Sequence, residues 1–182
     1  SFDIRRGATV AVVGESGSGK STTARVITGL LPPRLGSTAL NGEALPTRLA
    51  QRTREQKRAI QMIYQMADTA LNPRQTIRQI LSRPLQFYLG LGGQARETRL
   101  RALMEQIELP AARFLDRYPG ELSGGQKQRI GIARALAADP EVIICDEVTS
   151  ALDQLVAEGI LRLLSDVQDR TGVSYMFITH DI

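Results

Sequence analysis

Three features of this sequence predict an α/β fold, built on a mainly parallel sheet and carrying a helical insertion. Apolar runs at Val10–Val13, Val142–Cys145 and Ser174–Ile178 read as strands, and Val142-Ile143-Ile144-Cys145 is continuous enough for a strand covered on both faces. A Gly-rich loop, Gly14-Glu15-Ser16-Gly17-Ser18-Gly19-Lys20-Ser21, stands between the first run and a segment of helical spacing. The stretch from Thr76 to Leu115 has helical periodicity and no convincing strand.

The elements follow in order. Ser1 to Thr9 lead into a first buried strand. Lys20 to Leu31 read as a helix with Ala24, Ile27, Leu30 and Leu31 on one side, weakened near its end by Gly29 and stopped by Pro32-Pro33. Ser37 to Leu40 is a short strand closed by the turn Asn41-Gly42. Arg48 to Arg58 is a dense basic stretch that reads as a solvated helix face. Ala59 to Tyr64 is another short strand, ending at Gln65, and Met66 to Arg74 is turn-rich. Leu100, Leu103, Met104 and Ile107 form an amphipathic stripe within the insertion, which Tyr118-Pro119-Gly120 ends. Ser123 is a good N-cap for a helix to about Ala138. Gln154 to Thr171 is a helix with Val156, Ile160, Leu163, Leu164 and Val167 inward and Gly172 at its end.

Composition bounds the function. The chain has 182 residues, 42% hydrophobic, which suits one compact domain with a real core. The net charge of +4 comes mostly from scattered arginine, and only 4% of residues are aromatic, so base-stacking platforms are scarce and no nucleic acid is expected. A single cysteine, Cys145, allows no disulfide framework or cysteine zinc cluster, fits a reducing compartment, and reads as core packing. No apolar run approaches membrane-spanning length, and both ends of the chain read as cut.

Gly, four residues, then Gly-Lys-Ser between a strand and a helix is the pattern of a phosphate-binding loop. Glycines let successive N–H groups point inward to form an anion site, and the helix adds its own N–H groups and dipole. Lys20 supplies an ammonium for the β- and γ-phosphates, and the Ser21 hydroxyl can ligate Mg²⁺. Asp146-Glu147 and Thr179-His180 also directly follow apolar strands. In parallel sheets ligands bind at the carboxyl ends of strands, so neighbouring strands would bring these groups to one phosphate tail. Asp146 would then hold Mg²⁺ and Glu147 would take a proton from the attacking water. Taken singly, the residues have plainer readings: a capped turn for the acids, a structural role for His180, a loop polar group for Gln65, and a capped helix start for Ser123-Gly124-Gly125.

Taken together, Gly14 to Ser21, Gln65, Leu122-Ser123-Gly124-Gly125-Gln126, Val142 to Glu147, Ser150 to Asp153 and His180 resemble an ABC-type ATPase in order and spacing, over essentially the whole chain. The Leu-Ser-Gly-Gly-Gln segment is the most specific part of that resemblance. The resemblance implies a phosphate-loop NTPase fold: a RecA-like core, here residues 1–65 and 135–182, with a helical subdomain at 66–134. It implies that Gly14, Gly17, Ser18, Gly19, Lys20, Ser21 and Thr22 hold ATP, that Ser21, Gln65 and Asp146 serve Mg²⁺, and that Glu147, His180 and Gln65 are catalytic. It further implies a head-to-tail dimer with a second ATPase domain, in which Ser123, Gly125 and Gln126 meet the γ-phosphate bound to the other copy and Asp153 lies at the interface.

Leu71-Asn72-Pro73-Arg74, Ile144 to Asp153, and Phe177-Ile178-Thr179-His180-Asp181 are similar to the oligopeptide, dipeptide and nickel uptake branch. That resemblance implies transmembrane permease subunits, a periplasmic substrate-binding protein, and a place on the cytoplasmic face of the inner membrane. The family's usual Asp-Pro after the loop glutamine is replaced by Met66-Ala67, and its adenine-stacking aromatic is expected upstream of Ser1. The alternatives are a DNA-repair or chromosome-organising ATPase on the same fold, against which the short insertion and single cysteine argue, and a binding module without catalysis. No Asn-Lys-x-Asp segment is present to read guanine.

Overall fold

The computed structural model describes residues 1–180; Asp181, the last residue of the Phe177–Asp181 match, lies outside them. Four parallel strands form the central sheet in the order β1 (Thr9–Val13), β6 (Ser174–Thr179), β5 (Val142–Asp146) and β4 (Ile60–Ile63). The register aligns their ends: Val13 lies opposite Thr179, Asp146 opposite Ile178, and Ile63 opposite Cys145. A separate two-stranded hairpin joins β2 (Ala39–Leu40) and β3 (Glu43–Ala44) through Asn41-Gly42.

Both faces of the sheet are covered, and the alternation of side chains divides the core in two. Ile144, Met176, Ile178 and Met62 point to one side, where Ala24 of α1 (Lys20–Ile27) packs. Ile143, Cys145, Tyr175 and Ile63 point to the other. There they meet α7 (Gly124–Leu136) and α8 (Gln154–Thr171), and the same apolar cluster runs on into α4 (Ile77–Leu89), α5 (Gly93–Gln106) and α6 (Ala111–Phe114). Leu100, Leu103, Met104 and Ile107 are all buried in it. Two short helices, α2 (Arg54–Ala59) and α3 (Ala67–Ala70), flank β4. Among the described residues no helix is long and apolar enough to cross a membrane.

Three expectations need correction. Among the described residues β1 pairs only with β6 and lies at the edge of the sheet, so its exposed and half-buried residues alternate and Val13 is 45% exposed. Helix α1 stops at Ile27 rather than Leu31, because Gly29 takes a left-handed φ of 80° and Leu31 N–H turns back to the Arg25 carbonyl. Leu30 and Leu31 therefore lie outside the helix and are exposed. The basic stretch is not wholly solvated. Arg52 is buried, and its guanidinium donates to the Ile27 carbonyl at 2.7 Å and the Pro46 carbonyl at 3.0 Å.

Candidate active site

The strand order puts four loops side by side at the carboxyl edge of the sheet: Gly14–Gly19 after β1, His180 after β6, Glu147 after β5 and Tyr64-Gln65 after β4. The phosphate loop is shaped by Gly17 and Gly19, with φ of 82° and 94°. Residues with a Cβ reach that region only at a cost, which is why glycine stands there. Gly19 caps α1 without a side-chain acceptor, so the first-turn N–H groups are not satisfied by a cap. Lys20 is buried under the loop, and its ammonium donates to the carbonyls of Gly14 at 2.5 Å and Glu15 at 2.7 Å and lies 3.5 Å from Ser18 Oγ. Thr22 is exposed on the first turn of α1.

Ser21 Oγ donates to Asp146 Oδ1 at 3.0 Å, joining the loop after β1 to the end of β5. A hydroxyl and a carboxylate in contact form a hard oxygen donor pair, which suits Mg²⁺. Among the described residues no group of three or more His, Cys, Asp and Glu side chains could hold a metal by itself. A cation here would complete its shell from phosphate and water, as Mg²⁺ commonly does.

Glu147 has a φ of 48°, left-handed for a residue with a side chain. Such a conformation costs on the order of 1–3 kcal/mol and persists only where its surroundings fix it. They do so here: Glu147 N–H donates to the Ile178 carbonyl at 2.9 Å, and the Glu147 carbonyl accepts from Ser150 N–H at 3.1 Å and Ser150 Oγ at 3.0 Å. The Glu147 carboxylate lies 3.5 Å from His180 Nδ1. Gln65 Nε2 donates to Ser150 Oγ at 3.0 Å, which ties the loop after β4 into the same turn. The positive φ at Glu147 and the bridging Ser150 carry no signal that a single sequence would reveal.

The remaining candidates sit at two helix starts. Ser123 Oγ accepts from Gln126 N–H at 3.3 Å while Gln126 Oε1 accepts from Ser123 N–H at 2.9 Å, a reciprocal cap for α7. Asp153 Oδ1 accepts from Val156 N–H at 3.1 Å and caps α8. The two starts pack together: a Cβ on Gly125 would lie 2.5 Å from Val156 Cγ1. Among the described residues no hydrogen bond joins Ser123 or Gln126 to the loop Gly14–Ser21. The plain capping roles of Ser123, Gln126 and Asp153 are thus present in the single chain.

A phosphate-type loop on a parallel sheet, with acids at the end of a neighbouring strand, defines a nucleotide-binding α/β domain. Residues 1–150 match the model of the ABC transporter family, and the chain belongs to that family. It is 44% identical over its full length to a Brucella abortus (strain 2308) protein that bears the provisional name of a peptide import ATP-binding protein, covering 54% of that protein. A Brucella ovis relative of the same description is 45% identical, with 57% of its length covered. The chain spans little more than half the length of these curated relatives. Among solved structures it is similar to the ATP-binding cassette MJ0796 in its dimeric form bound to ADP and Pi, with a TM-score of 0.82 and 34% identity over 99% of this chain and 78% of that one. It is also similar to cbiO1 from Clostridium perfringens, part of the ABC transporter complex cbiONQ, with a TM-score of 0.85 and 26% identity over 99% and 70%.

Proposed function

We propose that this chain is the ATP-binding and ATP-hydrolysing part of an importer, drawing peptides or a related small solute through partner membrane subunits. The observation that carries the reading is the contact of Ser21 with Asp146, beside Glu147, His180 and Gln65, at one sheet edge. The peptide-import names of the Brucella relatives support the substrate class.

In this reading the N–H groups of Gly14–Ser21 and the Lys20 ammonium hold the phosphates, whose oxygens take over the bonds that Lys20 makes to loop carbonyls. Ser21, Asp146 and Gln65 serve Mg²⁺, which would neutralise charge on the phosphate oxygens. Glu147 accepts a proton from the water that attacks the γ-phosphorus, as the bond to the leaving ADP oxygen breaks. His180, against Glu147, faces the γ-phosphate. Residues 1–65 and 135–182 act as the RecA-like core and 66–134 as a helical subdomain. A second ATPase domain brings Ser123, Gly125 and Gln126 to the γ-phosphate across a head-to-tail dimer, with Asp153 at the interface; the dimeric form of MJ0796 supports the pairing of two such domains.

A groove of about 880 Å³ between β4, α2, α4 and α7 supports a permease partner. Lys57, Arg83 and Arg134 line it beside Tyr64, Phe87 and Tyr88, with no acidic residue in its wall, so it favours an acidic, partly apolar segment. The permease subunits, a periplasmic substrate-binding protein that delivers the solute, and a position on the cytoplasmic face of the inner membrane complete the proposal.

The test is Glu147→Gln in the full-length parent. The variant keeps ATP binding, loses steady-state hydrolysis by about 10²-fold or more, and accumulates ATP-bound dimers in size-exclusion chromatography. Normal turnover by this variant would remove Glu147 from the proposed role.

A further inference from the structure

Helix α3 is a single turn that starts two residues after Gln65, and α7 grips it from one side. The Lys127 ammonium pairs with the Asp68 carboxylate, and the Arg134 guanidinium donates to the Ala70 carbonyl. Buried Gln128 lies with Nε2 3.5 Å from the Tyr64 carbonyl. Lys127 and Arg134 are seven residues apart, so they share one face of α7. Together the three partners, Tyr64 before Gln65 and Asp68 and Ala70 after it, bracket Gln65, whose side chain reaches Ser150 and so the Glu147 turn.

We propose that Asp68 and Lys127 are positioning residues for Gln65, joining the loop after β4 to the helix that begins beyond Ser123. The proposal rests on the ATP-hydrolysing reading above. A four-residue helix cannot hold itself in place, so side chains bonded to it set its position. Arg134 and Gln128 hold backbone carbonyls, whatever side chains that segment carries. The Asp68–Lys127 pair is the contact that depends on a particular side chain, and Asp68 is the one acid between Gln65 and Gln75. Met66-Ala67 occupy the positions just after the glutamine, and the acid stands further along, within reach of α7. Asp68 is 65% and Lys127 19% exposed at the side chain, and a pair this open to water adds little to global stability. Its effect is on where Gln65 sits relative to Ser123, and hence on the coupling of Gln65 at one nucleotide to the start of α7, which meets the other nucleotide in the proposed dimer.

The experiment uses the full-length parent with its membrane partners, as wild type, Asp68→Asn, Lys127→Ala and the charge-swapped pair Asp68→Lys with Lys127→Asp. Two readouts are taken, kcat and KM for ATP, and amide hydrogen exchange over residues 65–71 without nucleotide, with the melting temperature as a control for global stability. Each single variant lowers kcat about tenfold through misplacement of Gln65, leaves KM within about twofold, and speeds exchange over 65–71 without changing the melting temperature. The swapped pair restores both readouts. Unchanged exchange in Asp68→Asn, unchanged kcat in an active parent, or a swapped pair no better than the single variants would overturn the proposal. A wild-type parent with no ATP hydrolysis would instead overturn the functional reading and with it any catalytic role for the pair, while exchange would still decide whether the pair holds the loop.

Discussion

Gly125 stands where a methyl group has no room. The added Cβ would lie 2.5 Å from Val156 Cγ1, so the first turns of α7 and α8 approach each other only because this residue lacks a side chain. Overpacking of that kind costs about 1–3 kcal/mol. Gly125→Ala therefore lowers the thermal stability of the parent, and adding Val156→Ala recovers most of the loss. Were a phosphate contact the residue's sole role, unfolding would be unaffected by Gly125→Ala and no rescue would occur. Glu147 shows a related economy of structure. Its left-handed backbone is locked by bonds to Ile178 and Ser150, which turns its carboxylate towards His180. Neither the packing at Gly125 nor the strain at Glu147 has a local sequence pattern, since both arise from elements distant along the chain.

Arg78, near the start of α4, reaches Glu97 of α5 at 2.5 Å and Asp116, beyond α6, at 2.8 Å, and so links two helices and the segment that follows α6. The Arg78 hydrogen bond, and then its charge, hold the Asp116 carboxyl below its ordinary range. A carboxyl lowered in the folded state stabilises above its unfolded pKa of about 3.9 and loses that contribution as pH falls through the folded value. The stability difference between wild type and Asp116→Asn is thus present at neutral pH and closes below about pH 4. Elements with strong local signals were legible in advance: the strand–loop–helix at Gly14–Ser21, the stripe from Leu100 to Ile107, the cap at Ser123 and the end of α8 at Gly172. Of the three departures, the early end of α1 is local, set by the positive φ of Gly29, and the other two are set by tertiary contact. Arg52 looked solvated because its two carbonyl partners lie far along the chain or around a turn, and β1 looked buried because an apolar run does not reveal its place in a sheet.

The order β1-β6-β5-β4 could not be read from the chain, yet it is what turns four separate loop motifs into one site. Interposing β6 between β1 and β5 leaves the ends of all three level within about a residue, so the phosphate loop, Asp146 and His180 share one edge. The groove on the β4 side lies beside the Gln65 loop, which puts the proposed permease contact next to the proposed reaction centre. The central claim is that this edge holds a polyphosphate through Gly14–Ser21 and Lys20. Its most direct test is the affinity of the full-length protein for a non-hydrolysable ATP analogue, measured calorimetrically for wild type and Lys20→Ala. Loss of charge-assisted bonds worth about 1.5–3 kcal/mol predicts roughly ten- to a hundredfold weaker binding. An affinity unchanged by Lys20→Ala would contradict the account.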